Sequence, residues 1–205
     1  MAPLPHIPIC ILAGGQSRRF GEDKALAELA GKPLLEHVLE RVRGQTSGPI
    51  AINAPSPGSF ERWGLPIIRD LLSDSIGPLA GILTAMEWAS ANGAEQVVTL
   101  AVDLPFVPLD FVEKLNAQGA PTIAVSEDRW HPVNGLWRVD QYGALRAQID
   151  SRWHSAHSWA KRCKAALVTF DTEAPHVDPF WNINTREDLA KAEEILSGHQ
   201  AGTAS

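Results

Sequence analysis

The sequence predicts an α/β fold, a mostly parallel sheet with helices on both faces, on three observations. Short apolar runs alternate with segments whose apolar residues recur at helical spacing. The run at residues 97–102 is apolar with little interruption, as expected of a strand buried on both sides. Glycine, proline and small polar residues punctuate the intervals, which marks turns rather than linkers.

The elements follow in chain order. Residues 7–12 form an apolar strand that runs into the glycine pair Gly14-Gly15. Pro33 suits the first turn of a helix whose apolar stripe is Leu34, Leu35, Val38, Leu39 and Val42, with Gly44 as its stop. Strands are expected at residues 50–52 and 66–68, and Pro78 opens a helix with Leu79, Ile82, Leu83 and Met86 on one face and Gly93 past its end. After the strand at 97–102 come a helix near 109–118 and strands at 122–125 and 133–139. Helices around Gln141 and Ser158 and a strand at 166–170 complete the less regular half. Thr185 caps a final helix to Leu196, with Asp188 at the third position of its first turn. The expectation is one domain over residues 1–196 and a loose tail over 197–205.

The chain has 205 residues, enough for one core without disulfide staples. Its 18 Lys and Arg against 24 Asp and Glu give a net charge of −6, which disfavours a nucleic-acid or anionic-membrane surface. Two cysteines, Cys10 and Cys163, form neither a disulfide framework nor a zinc spacing, so a reducing cytoplasm is expected. No apolar stretch approaches the ~20 residues of a spanning helix. The run at 7–13 lacks the preceding basic segment of a signal peptide.

In a parallel sheet, ligands sit beyond the carboxyl ends of the strands. The Gly14-Gly15 turn, Asn53, Asp70 and Asp103 each close one of the first four main strands, so the topology would gather them at one edge. Gly14 and Gly15 allow a sharp turn with bare N–H groups, and Arg18, Arg19 and Lys24 add three cations in the same loop. That combination suits a polyphosphate, although the spacing is neither a P-loop nor a Gly-x-Gly-x-x-Gly turn; a solvated basic loop is the alternative. Asp103 ends the most buried strand, where a carboxylate needs a partner or a cation, and magnesium commonly takes one or two carboxylates with phosphate oxygens. A turn-forming Asp before Pro105 is the alternative, and Asn53 could read a base or ribose edge or begin a turn.

Residues 12–24 resemble the Leu-Ala-Gly-Gly-x-Ser-x-Arg-x-Gly-x-Asp-Lys block of the molybdenum cofactor guanylyltransferase family, with Phe20 where the family usually has Met. Asp70 with Gly77-Pro78-Leu79-Ala80-Gly81, Asp103-Leu104-Pro105-Phe106, and Asn182-Ile183-Asn184-Thr185 resemble three further blocks, in family order. The resemblance implies a Rossmann-like, three-layer nucleotidyltransferase fold of the nucleotide-diphospho-sugar transferase type. It further implies transfer of GMP from GTP to the phosphate of molybdopterin or Mo-molybdopterin, with release of pyrophosphate. Leu12, Ala13 and Gly14 would hold the nucleotide through their backbone, Asn53, Asp70, Gly77 and Pro78 would contact it, and Lys24 would meet phosphate. Asp103 would bind Mg2+, Arg19 would balance phosphate charge, and Asn182 and Asn184 would lie towards the acceptor.

Gly14 and Gly77-Pro78-Leu79-Ala80-Gly81 favour GTP, because the cytidylyltransferase relative usually reads Leu-Ala-Ala-Gly first and lacks the second block. A sugar-phosphate nucleotidyltransferase and a carrier of the finished cofactor are the other readings. Molybdenum-insertion proteins and molybdoenzyme chaperones are the implied partners, with a monomer favoured. Five of the seven tryptophans lie between Trp130 and Trp181, where one could stack on a pterin or simply pack in the core. His154, His157 and Cys163 match no metal spacing, and His37 reads as a helix-face residue. His131-Pro132 and Leu136-Trp137 resemble a loosely kept stretch of the family.

Overall fold

The apolar runs fold as expected into strands level with one another. β1 (Ile9–Leu12) is followed by the two-residue strands β2 (Glu28–Leu29) and β3 (Lys32–Pro33), helix α1 (Leu34–Val42) and β4 (Ile50–Asn53). Next come β5 (Ile67–Ile68), α2 (Pro78–Ala91), β6 (Gln96–Ala101), α3 (Phe111–Gln118), β7 (Thr122–Ser126) and β8 (Arg129–Arg138). Helices α4 (Tyr142–Asp150) and α5 (Ala156–Arg162), strand β9 (Ala166–Thr169) and helix α6 (Arg186–Gly202) complete the order. This structure is a computed structural model that describes residues 3–14, 24–72, 76–152, 154–171 and 177–202, with side chains to residue 197. Gly15, Arg18, Arg19, Phe20 and Trp153 lie outside the described residues.

The main sheet has seven strands in the order β5-β4-β1-β6-β8-β7-β9. Only β8 runs against its neighbours, so the sheet is mostly parallel. Strand alternation divides the core into two apolar layers. Ile9 and Ile11 face α1 and α3 in one layer, whereas Cys10 and Leu12 face α2, α4 and α5 in the other. Helices on both faces of one sheet make the three-layer architecture.

Differences from expectation have local causes. Pro33 sits one position before α1 as its cap, in extended backbone, because it also pairs with Glu28. Helix α1 ends at Val42 and Arg43 caps it in right-handed geometry, so Gly44 is not its stop. The β2–β3 hairpin was not expected; Ala30 and Gly31 both take positive φ, the geometry of a tight hairpin turn. A similar turn at Glu127 and Asp128 starts β8 four residues before the expected 133. Helix α6 continues past Leu196 to Gly202, with Ser197 Oγ donating to the Glu193 carbonyl and no proline to stop it. Its first turn is capped as expected: Asp188 N donates to Thr185 Oγ1, and Asn184 N and Thr185 N donate to Asp188 Oδ2.

Candidate active site

Strand register explains why distant polar residues converge. Leu12 pairs with Asn53 and with Ala101, and Asn53 pairs with Ile68, so these four strand ends are level. Gly14, Asp70 and Asp103 each lie two residues beyond one of those ends. All three, with Asn53, line one cleft of about 1120 Å³ at the carboxyl edge of the sheet.

Asp103 is the centre of this edge. Lys24 Nζ donates to its Oδ2 at 2.5 Å and to Asn184 Oδ1 at 2.7 Å. Asn182 Nδ2 donates to Asp103 Oδ1 at 3.0 Å, and the N–H of Ile183 donates to the Asp103 carbonyl at 3.0 Å. Residues 182–184 therefore form a strap across the end of β6. The Asp188 cap ties that strap to α6. The side chains of Lys24 and Asp103 retain 17% and 14% exposure, so their charges meet in a partly desolvated setting.

A second cluster lies on the β4–β5 side. Asn53 Nδ2 donates to Asp70 Oδ1 at 2.9 Å and to the Ile68 carbonyl at 3.2 Å. Thr84 of α2 accepts from Leu71 N at 3.1 Å, which holds the segment after β5 against the helix. Close approach here requires glycine. A Cβ on Gly81 would stand 3.1 Å from both Asn53 Oδ1 and Leu12 Cδ2, and Gly77 opens α2 with φ of 73°.

The opposite wall comes from β8. Pairing with β7 jumps from Ile123–Gly135 to Ala124–His131, so residues 132–134 bulge from the ladder towards the cleft. The bulge is anchored: Asn134 Oδ1 accepts from Ala101 N, and Thr99 Oγ1 donates to the Val133 carbonyl while accepting from Trp137 Nε1. Trp130 and His131 join this wall.

The structure thus gathers Leu12, Ala13, Gly14, Lys24, Asn53, Asp70, Gly77, Pro78, Asp103, Asn182 and Asn184 around one cleft. Asn182 and Asn184 touch Asp103 and Lys24 directly. Arg19 lies outside the described residues. Trp137 and Trp159 are core residues, whereas Trp130 lines the cleft. His37 Nε2 donates to the Leu29 carbonyl, His157 stacks on Trp130, and Cys163 Sγ donates to the Ala160 carbonyl. Burial pushes the Cys163 thiol up to about 11, and burial followed by the charge of Asp70 raises Cys10 further, so both favour the thiol form. Arg69 and Asn134 also line the cleft without having been singled out from sequence. For Asn134 the signal was its place inside an expected strand next to Gly135, a polar interruption that marks the bulge.

Among the described residues there is no cluster of three or more His, Cys, Asp or Glu able to hold a metal. Asp103 nevertheless fits a hard divalent ion. Its carboxylate already holds a cation, the amide oxygen of Asn184 meets that same cation, and the open cleft leaves room for phosphate oxygens and water as further ligands.

A family model described as the MobA-like NTP transferase domain matches residues 9–167. The chain is 40% identical over 191 residues to a molybdenum cofactor guanylyltransferase of Acidiphilium cryptum, covering 92% of this chain and 94% of that one. It is 43% identical over 189 residues to another of Rhodobacter capsulatus, covering 91% and 94%. Its fold matches the crystal structure of molybdopterin-guanine dinucleotide biosynthesis protein A from Archaeoglobus fulgidus with a TM-score of 0.71. That match has 24% identity and covers 94% of this chain and all of that one. The level strand ends, the cleft they share and these relatives lead to one conclusion: the chain belongs to the molybdenum cofactor guanylyltransferase family of nucleotidyltransferases.

Proposed function

We propose that this chain transfers GMP from GTP to the phosphate of molybdopterin or Mo-molybdopterin, forming the guanine dinucleotide and releasing pyrophosphate. The observation that carries it is the meeting of Lys24, Asn182 and Asn184 around Asp103, at the floor of a cleft large enough for two substrates.

The strand order supports a division of the cleft. Phosphates beside Lys24 and Asp103 lie beyond β1 and β6, with β4 and β5 on one side and β8 on the other. The nucleoside takes the β4–β5 side, where Leu12, Ala13 and Gly14 offer backbone groups and Asn53, Asp70, Gly77 and Pro78 shape the wall. The acceptor takes the β8 side, with its phosphate near Asn182 and Asn184.

In the reaction, an acceptor phosphate oxygen attacks the α-phosphorus of GTP. A new P–O bond forms as the bond to pyrophosphate breaks and its electron pair leaves with pyrophosphate. A phosphate monoester is already largely ionised near neutral pH, so no general base is needed. Lys24 shifts from Asp103 to the phosphates and offsets charge on the departing group, and Arg19 adds a second positive charge towards them. Asp103 would hold Mg2+, which would supply Lewis-acid neutralisation of the phosphate oxygens when bound.

A cytoplasmic location is supported by the two free cysteines, one of them fully buried. No helix among the described residues is long and apolar enough to cross a membrane. Molybdenum-insertion proteins and molybdoenzyme chaperones are the partners this role calls for, acting with a monomer.

Incubation with molybdopterin, magnesium and each nucleoside triphosphate tests the assignment. Pyrophosphate release with GTP is the expected result. Release with CTP but not GTP would reassign the nucleotide, and tight product binding without turnover would favour a carrier.

A further inference from the structure

A buried polar chain outside the phosphate site ends at the cleft. Ser126, at the end of β7 and 1% exposed, donates its hydroxyl proton to Asp178 Oδ1 at 2.6 Å. Ser126 Oγ also lies 2.8 Å from Nε2 of His131. Asp178 is itself held by Arg129 and by the N–H of Phe180. Burial pushes its pKa up, but the hydrogen bonds from Ser126, Phe180 N–H and Arg129 outweigh that and hold the carboxyl below its ordinary value. The carboxylate is therefore ionised near neutral pH and can only accept.

Proton counting then fixes the histidine. A hydroxyl carries one proton, and Ser126 commits it to Asp178, so Nε2 of His131 must be the donor to Ser126 Oγ. Burial lowers the His131 pKa; Asp178 opposes this, while Arg129 and His157 add to it, and the net shift is downward. In the neutral ring Nδ1 is bare. The ring plane is fixed from its other side by Phe180, with centroids 4.8 Å apart and planes 22° apart. His131 lines the cleft, yet its only side-chain hydrogen bond among the described residues runs through Nε2.

A bare aromatic nitrogen repels phosphate oxygens and accepts N–H groups. That makes this end of the cleft suited to a nitrogen heterocycle rather than to phosphate. The neighbouring Trp130 adds an aromatic surface backed by His157, stacked at 8°. A pterin carries ring N–H and amino donors on a flat ring system, which matches both features.

We propose that His131 binds the heterocycle of the acceptor, its Nδ1 lone pair accepting a pterin N–H, and that Ser126 and Asp178 are positioning residues that set its tautomer. This rests on the acceptor being molybdopterin. It deepens that reading by assigning hydrogen-bond polarity to one end of the site.

The test combines histidine nitrogen NMR with steady-state kinetics on wild type, Asp178→Asn, Ser126→Ala and His131→Phe. Wild type should show His131 protonated at Nε2 and bare at Nδ1. In Asp178→Asn the amide can donate to Ser126 Oγ, which turns the hydroxyl towards Nε2 and moves the ring proton to Nδ1. His131→Phe retains a ring to stack on Phe180 but has no acceptor. KM for molybdopterin should rise about tenfold in Asp178→Asn and His131→Phe, by the loss of one hydrogen bond, with kcat and KM for GTP within about twofold. Ser126→Ala should lose the enforced tautomer while keeping KM for GTP, which separates the relay from general damage to the fold. An Nδ1-protonated wild-type ring, or an unchanged KM for molybdopterin in Asp178→Asn and His131→Phe beside a wild type that turns over normally, would overturn the role of His131 alone. A wild type that releases no pyrophosphate with GTP would overturn the transferase reading and the pterin assignment together.

Discussion

Lys24 and Asp103 are 79 residues apart in the chain, yet Nζ and Oδ2 lie 2.5 Å apart at the floor of the cleft. A cation and a carboxylate so placed neutralise each other until phosphates arrive. In the proposed reaction each would then have a separate task, Lys24 towards phosphate and Asp103 towards a divalent ion.

Asp103→Ala should remove magnesium-dependent turnover, by a factor of at least about 10²–10³ in rate, by analogy with losing one preorganised charge-stabilising group. Far-UV circular dichroism should be unchanged, because the apolar layers do not include this side chain. Turnover near wild type would contradict the role given to Asp103.

Lys24→Ala should lower kcat/KM for GTP by a similar factor of about 10²–10³. Pyrophosphate release at varied GTP measures this. A variant that retains kcat and shows only a modest rise in KM would place Lys24 in ground-state binding instead.

Two glycine substitutions should separate site from fold. In Gly135→Ala the new Cβ would stand 2.3 Å from the Thr122 carbonyl oxygen, a backbone atom inside the β7–β8 ladder. Stability should fall by about 1–3 kcal/mol or more, read by denaturant unfolding. In Gly81→Ala the Cβ meets Asn53 Oδ1 and Leu12 Cδ2, each at 3.1 Å, and these side-chain atoms can shift by tenths of an ångström. A smaller stability loss with a higher KM for GTP is expected.

Asp188 supplies a pH-dependent cap to α6. Burial raises its pKa, but hydrogen bonds from Asn184 N–H and from Thr185 outweigh this and hold it below the ordinary 3.8. A depressed carboxyl contributes stability above its unfolded value and loses it as pH falls through the folded one. Asp188→Ala should therefore cost about 1 kcal/mol at pH 7, and the difference from wild type should close as pH drops below the ordinary carboxylate value. Unfolding curves at pH 7 and near pH 3 measure it.

Much of the site was legible because strand ends are legible. The apolar run at 97–102 located Asp103, and the runs before Gly14, Asn53 and Asp70 located those residues at the same edge. What stayed hidden depends on long-range contact. Nothing near Asn182 announces that its amide will reach Asp103, and residue spacing alone does not link Ser126, His131 and Asp178. The hairpin turn at Glu127-Asp128 was missed because it uses two non-glycine residues with positive φ, against the usual preference for Asn-Gly or Asp-Gly. The bulge that follows breaks the strand's alternation, so the start of β8 could not be read from periodicity.

A crystal structure with GTP and magnesium tests the central claim most directly. The triphosphate is expected between Gly14 and Asp103, with the ion on the Asp103 carboxylate and Lys24 Nζ moved from Asp103 to a phosphate oxygen. A triphosphate bound away from Asp103, with the Lys24–Asp103 pair intact, would contradict it.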